Sequence, residues 1–426
     1  MLPVYYNSLD FARQCDEADV LQHFRHRFLF PQRNNREVLY FTGNSLGLQP
    51  KSVRTALEQE LSDWATLGVE GHFRATVPWW QYHKAVQEPL ARIVGAQPHE
   101  VVAMNTLTVN LHLLLATFYQ PTPQRFHILC EAGAFPSDDY ALETHVALRG
   151  LDPRRAIVEV VAKDQHGLLC TEDIVQAIDT LGDSLALVMF SGVQYYTGQA
   201  FDIRTITRAA HCVGAIACFD LAHAVGNIVL KLHEWDVDAA AWCSYKYLNS
   251  SPGGIAGVFI HERHAMNKDL PRLAGWWGND ESERFQMKKG FRPASGAQAW
   301  QLSNPPALLM ATHKAALEIF DEAGIERLRA KSEALTGFLE FIIRDVAGTH
   351  VRIITPSNPA ERGAQLSLII ERNGRAVFQH LLNNGVIVDW REPDVVRVAP
   401  VPLYNSFEDV WRFGECLKKA LDAECQ

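Results

Sequence analysis

The chain has 426 residues, 47% hydrophobic and 21% charged, with a formal net charge of −9. That balance excludes a disordered chain, and the length exceeds one small core: it implies two or three domains, or one large α/β domain with a smaller one attached. An acidic chain with no basic run excludes nucleic acid as a natural partner, and local positive groups must hold any anionic ligand.

The eight cysteines (Cys15, Cys130, Cys170, Cys212, Cys218, Cys243, Cys416, Cys425) form no CxxC and no Cys/His cluster of zinc spacing. Reduced thiols, a cytoplasmic setting and no metal are therefore expected. The first twenty residues show no basic segment followed by an apolar one, so no signal peptide is expected. The longest uncharged stretch, Val101–Gln124, contains Asn105, Asn110, His112 and two prolines. A membrane span needs about 20 mostly apolar residues, so this stretch reads as a buried helix with a polar entrance, and no membrane partner is expected.

From there the pattern alternates. Arg125–Ala132, Arg155–Ala162, Leu185–Gly192 and Ala215–Ala222 each read as a strand buried on both faces, with helices such as Thr171–Leu181 and Ile203–Val213 between them. This predicts a mainly parallel sheet flanked by helices. After Asn304–Pro306, Ala307–Val346 reads as two amphipathic helices broken near Gly324. Strands near Gln365–Ile370 and Val395–Val398 and helices near Arg375–Asn383 and Phe407–Leu421 follow. The expected division is a large α/β domain over residues 70–305 and a smaller α+β unit made of 1–69 with 306–426.

The chemistry centres on "WCSYKYLNSS" (Trp242–Ser251), which puts Lys246 between two tyrosines after an apolar run. Lysine is ordinarily a surface residue. Asp220 ends an apolar strand 26 residues earlier, with His223 close behind. Ligands in parallel α/β sheets bind beyond the carboxyl ends of strands. A strand-end carboxylate and a desolvated lysine suit pyridoxal 5'-phosphate (PLP), which needs a Schiff-base lysine and an acid facing its ring nitrogen. Burial among aromatic residues is expected to lower the lysine pKa and make the amine nucleophilic. The Asn/Thr opening of "MNTLTVNLH" reads as a helix N-terminus suited to phosphate. Singly, Asp220 reads as a turn or cap residue, His223 as a structural histidine and "NTLT" as an ordinary cap. Their joint occurrence carries the cofactor reading.

Taken in order, "FTGNSLGLQPK", "EGH", "MNTLTVNLH", "FPSDDYALETH", "FSGVQYYTGQ", "DLAHAVGN", "WCSYKYLNSSPGGIAG", "GWWG", "QLSNPP" and "RVAPVPLYNSFED" resemble the kynureninase family over nearly the whole chain. The resemblance implies a PLP-dependent transferase fold of type I and a hydrolase acting on carbon–carbon bonds. Lys246 would carry the cofactor and Asp220 would face its ring nitrogen. Phe135, Pro136, Ser137 and Asp138 would form part of its pocket. Leu107, Thr108 and Tyr245 would lie at the phosphate, and Ser191 and His223 would touch the cofactor. Trp276 and Asn304 would reach the site from a neighbouring subunit, which implies a homodimer with shared active sites. Arg397 would clamp the substrate α-carboxylate, and Ser45 and His72 would lie near its aromatic end, with Asn304.

The implied reaction cleaves Cβ–Cγ of L-kynurenine or 3-hydroxy-L-kynurenine, giving L-alanine and anthranilate or 3-hydroxyanthranilate. Lys246 would remove the α-proton, and Tyr245 is the candidate proton donor to Cβ. His72 and Asn304 are hydrogen-bonding types, which leads to an expected preference for the hydroxylated substrate and a place on a route toward quinolinate and NAD. Cysteine desulfurases of the same fold carry a histidine before the lysine, where this chain has Tyr245, and a mobile-loop cysteine not evident here. A binding protein that had merely kept the fold would need no lysine, aspartate and phosphate cup together.

Overall fold

The computed structural model describes residues 4–164 and 167–424; Cys425 lies outside the described residues. Seven strands form the main sheet: β1 (Val101–Ala103), β2 (His127–Glu131), β3 (Ile157–Val160), β4 (Leu185–Ser191), β5 (Ile216–Asp220), β6 (Ala239–Trp242) and β7 (Gly257–Ile260). Their order is β1-β7-β6-β5-β4-β2-β3. Only β7 runs against its neighbours. The pairs β6–β5, β5–β4, β4–β2 and β2–β3 are parallel. Consecutive residues feed opposite faces, as the strand period demands. Leu129, Val188, Phe190, Phe219 and Trp242 enter one core, while Ile128, Leu187, Met189, Cys218 and Ala241 enter the other.

In chain order the α-helices of eight or more residues among the described residues are α1 (Leu9–Glu17), α2 (Ser52–Leu67), α3 (Gln87–Val94), α4 (Leu107–Phe118), α5 (Pro136–Leu148), α6 (Thr171–Leu181), α7 (Ile203–Cys212), α8 (Ala307–Ala323), α9 (Ile325–Ala347), α10 (Gly374–Asn383) and α11 (Phe407–Glu424). Helices α4 and α5 cover one face of the main sheet; α6, α7 and α8 cover the other. Among the described residues, no helix is long and apolar enough to cross a membrane.

Two expectations change. Val101–Gln124 is not one helix: Val101–Ala103 pairs with β7, and Asn105, at φ +51°, turns the chain before α4 begins. Asn110 holds that turn by donating to the Met104 carbonyl at 2.9 Å. Arg155–Ala162 is not a strand buried on both faces. Its first residues close the helical turn Pro153–Ala156, and β3 sits at the sheet edge with Glu159 in water.

A second sheet is antiparallel, in the order β8-β9-β11-β10: β8 (Val351–Ile353), β9 (Leu366–Ile370), β10 (Asp389–Arg391) and β11 (Val395–Val398). Helices α9 and α11 pack on it through Phe338, Ile342, Phe413 and Leu417. Ala12 of α1 and Phe41 join this core, and the Phe41 amide donates to the Ile387 carbonyl at 2.9 Å. Gly324, at φ +76°, separates α8 from α9. Met310, Leu317 and Phe320 of α8 lie in the core of the larger sheet, whereas α9 supplies the smaller one.

Candidate active site

The carboxyl ends of β1, β2, β4, β5 and β6 lead into one cavity of about 430 Å³. Its lining includes Leu107 and Thr108 after β1, Phe135, Ser137 and Asp138 after β2, and Ser191 at the end of β4. Asp220 and His223 come from β5, and Tyr245 and Lys246 follow β6. Arg391 and Arg397 come from the smaller sheet, Asn44 and Ser45 from the N-terminal segment.

Lys246 is half-buried, not deeply buried, and its Nζ lies 6.0 Å from the centroid of the Phe135 ring. The loop that presents it is pinned from both sides. The Ser250 amide donates to the Ser244 carbonyl at 3.1 Å, and the Gly47 amide to the Tyr245 carbonyl at 2.8 Å. A Cβ on Gly47 would come within 2.4 Å of the Lys246 carbonyl oxygen. The stretch "GNSLG" therefore needs a glycine there to lie against the lysine loop.

Beside Lys246 three carboxyls are buried together. The Asp220 Oδ1 accepts from the Ala222 amide at 2.8 Å, and its carboxyl shares a hydrogen bond with that of Asp138. Glu131 accepts from the Ser191 amide at 3.1 Å and from its hydroxyl at 2.5 Å. Burial pushes Glu131 up to about 7 against its hydrogen bonds from Ser191. Burial, then the charge and hydrogen bond of Asp220, hold Asp138 well above the usual carboxylate range. Asp220 is also raised by burial, with the Asp138 hydrogen bond and the Lys246 charge opposing the rise. Both carboxyls of the pair are raised, and one oxygen of Asp138, Oδ1, is buried without a hydrogen-bond partner.

Two helix N-termini open into the same cavity. Thr106 caps α4 without a side-chain bond to its free N–H groups, and Phe135 precedes α5. The Thr108 and Ser137 hydroxyls meet at 2.8 Å between them. Unsatisfied amides and aligned dipoles make this an anion cradle. Across the cavity, Arg397 is buried, donates to the Tyr195 carbonyl at 2.8 Å and pairs with Asp389. Burial, then the charges of Lys246, Arg397 and Arg391, lower the His223 pKa and keep its imidazole neutral. Burial and the Cys243 thiol raise the Tyr245 phenol, which stays protonated.

Four anticipated residues lie elsewhere in the single chain. Pro136 lines the outer groove at the mouth. His72 is half-buried, edge-on to Trp79 with ring centroids 5.5 Å apart. Trp276 is exposed, donates to the Arg284 carbonyl at 2.9 Å and meets Phe285 at 5.5 Å. Asn304 is exposed just before α8. Sequence reasoning missed Asn44, Thr106, Val193, Tyr195, Ala222, Arg391 and the buried Glu131. Tyr195 and Arg391 had a signal, standing inside or beside stretches rich in polar and aromatic residues, "SGVQYYTG" and "DWREPDVVRV". Glu131 ends an apolar strand just as Asp220 does.

This arrangement of sheet and helices is shared with solved enzymes. The structure superposes on a lysine-to-alanine mutant of C-DES, described with glycine covalently linked to its PLP cofactor, with a TM-score of 0.77, 18% identity and coverage of 92% of this chain and 98% of that one. It superposes equally well, at TM-score 0.77 and 16% identity, on a cysteine desulfurase from Escherichia coli, covering 95% and 99% of the two chains. The fold is therefore that of PLP-dependent enzymes of type I. Sequence narrows the class. A kynureninase from Flavobacterium psychrophilum is 51% identical over 421 residues, 98% of this chain and 99% of that protein. One from Xanthomonas oryzae is 54% identical over 405 residues, 94% and 96% of the two. The kynureninase C-terminal domain family matches residues 328–417. This chain belongs to the kynureninase family.

Proposed function

We propose that the protein holds pyridoxal 5'-phosphate in the strand-end cavity. With it the protein hydrolyses the Cβ–Cγ bond of L-kynurenine and 3-hydroxy-L-kynurenine, releasing L-alanine and anthranilate or 3-hydroxyanthranilate. The observation that carries this reading is the convergence of Lys246, the Asp138–Asp220 pair and two open helix N-termini on one cavity. The residues fit the cofactor. Asp138 and Asp220 line the cavity beside Lys246, and the buried Asp138 Oδ1 has no partner of its own, so a protonated ring nitrogen would meet acceptors there. When bound, the cofactor would supply an electron sink beside the substrate Cα.

The chain's own groups would do the rest. Lys246 would hold the cofactor covalently and, once freed, its Nζ would take the α-proton. Asp220 would hold the ring-nitrogen proton, with Asp138 and His223 setting its surroundings. Leu107, Thr108 and Ser137 would hold the phosphate, and Phe135 and Ser191 would flank the ring. Tyr245, kept as a phenol, would deliver a proton to Cβ. Arg397 would bind the substrate α-carboxylate with its planar donors, and Ser45 would face the aromatic end.

A second copy of the chain would complete the site. An aromatic group of exposed Phe73, Phe285 and Trp276 around half-buried Trp80, with ring centroids 5.5 to 6.4 Å apart, supports a homodimer interface. Trp276 and Asn304 would enter the partner's site from this face, with His72 nearby. His72 and Asn304 would favour the hydroxylated substrate, which suits a cytoplasmic route toward quinolinate and NAD. The test is a paired assay of PLP-loaded protein on both substrates, following alanine and the aromatic acid. Turnover with 3-hydroxykynurenine ahead supports the whole reading. Turnover with kynurenine ahead keeps the reaction and discards the preference. Sulfide from cysteine, with no alanine from kynurenine, would replace the reaction with desulfuration.

A further inference from the structure

The carboxylate end of the cavity carries a second arginine. Strands β10 and β11 pair antiparallel, with Asp389 directly opposite Arg397. Arg391 lies two residues beyond Asp389 and so shares its side of the sheet. One carboxylate oxygen, Asp389 Oδ2, accepts from both guanidinium groups, from Arg391 at 3.1 Å and from Arg397. Arg391 lines both the inner cavity and the outer groove at its mouth, with 36% of its side chain exposed. The Nε of each arginine is buried without a partner. Two guanidinium groups and one carboxylate leave this corner with one positive charge, and a single incoming carboxylate would cancel it.

We infer that Arg391 is a second carboxylate-recognising arginine and that Asp389 is the positioning residue that holds Arg391 and Arg397 side by side before ligand arrives. This rests on the reading that an L-α-amino acid occupies the cavity. Arg397 sits deep, fixed by the Tyr195 carbonyl and Asp389. Arg391 stands at the junction of cavity and groove, where an entering carboxylate passes first. A hydrogen bond to a charged group contributes roughly 1.5–3 kcal/mol, about 10-fold or more in affinity; partial exposure places Arg391 at the low end.

The test is calorimetric titration of PLP-loaded protein with L-alanine and with L-alaninamide, which differ only in the charged group. Arg391→Ala should weaken L-alanine binding about 10-fold and leave L-alaninamide nearly unmoved, so that acid-over-amide selectivity falls. Arg391→Lys should restore part of it, because the charge returns without the planar fork. Asp389→Asn should lower the same selectivity by releasing both guanidiniums; should that variant not fold, Arg391→Ala decides alone. An unchanged acid-to-amide ratio in Arg391→Ala overturns the inference. If the wild type yields no alanine from kynurenine yet Arg391→Ala still loses acid selectivity, the proposed reaction fails and the arginine pair stands.

Discussion

Strands β5 and β6 have a buried aspartate at each end of the sheet, and the two aspartates live under opposite conditions. Asp220 ends β5 and is 6% exposed; Asp238 immediately precedes β6 and is 2% exposed. Asp238 accepts from the Ala217 amide at 2.7 Å and from Arg263 at 2.5 Å, and it contacts His211 at 2.8 Å and His264 at 2.6 Å. Burial alone would raise its pKa, but the hydrogen bonds from His211, His264, Ala217 and Arg263 hold it far below the carboxylate range. Glu100 at the same end is equally provided for, accepting from the Gln97 amide at 2.8 Å and the Glu262 amide at 2.7 Å, with His233 at 3.0 Å. At the other end Glu131, Asp138 and Asp220 share too few donors, and all three are raised. A buried carboxylate with its full set of partners is architecture; a group of them short of partners marks where a ligand belongs.

The comparison breaks most visibly through substitutions at each end. Lys246→Ala should reduce alanine release from kynurenine by about 10³-fold or more, because it removes both the covalent anchor and the base. Its urea midpoint should stay close to wild type, since Lys246 is half-buried at a cavity wall. Asp238→Asn should do the reverse. Breaking a buried ion pair costs about 3–5 kcal/mol, read as a lower urea midpoint, while kcat of the remaining folded protein changes little. Because the folded pKa of Asp238 is depressed, its stabilising contribution is present above the unfolded carboxylate value of about 4 and disappears as pH falls below it. The gap between wild type and variant should therefore narrow below about pH 4. Equal stability of the two at pH 7 would remove the architectural half of the comparison.

Much of the site was legible because strand ends are legible. Lys246, Asp220 and His223 stand directly after apolar runs, and the parallel pattern places such ends together. The two helices parted by Gly324 were legible from period and glycine alone. Less legible were groups whose role depends on a neighbour distant in sequence. Arg391 acquires its position from Asp389 and from strand pairing, and Glu131 finds its donor in Ser191, sixty residues away. The β1 strand was hidden because three residues between polar turns carry too little periodicity to separate them from the helix that follows. Edge position, which exposes Glu159 of β3, depends on the whole sheet order and not on the strand itself.

The finest test of the comparison is Glu131→Gln in protein stripped of cofactor. Glu131 is fully buried with Ser191 as its donor, and burial raises it to about 7. A carboxyl raised on folding opposes folding once it ionises. From its unfolded value of about 4.3 up to about 7 the folded protein increasingly retains a proton that the unfolded chain gives up, and stability falls across that window. Above it both states are ionised, and the accumulated cost is about 4 kcal/mol as an upper bound. Glutamine cannot ionise and can still accept from Ser191. The variant should match wild type near pH 4 and exceed it at pH 8, seen as a urea midpoint that drops less between those values than that of the wild type. Identical pH profiles would mean that Glu131 is as well supplied as Asp238, and the contrast between the two ends of the sheet would then rest on Asp138 and Asp220 alone.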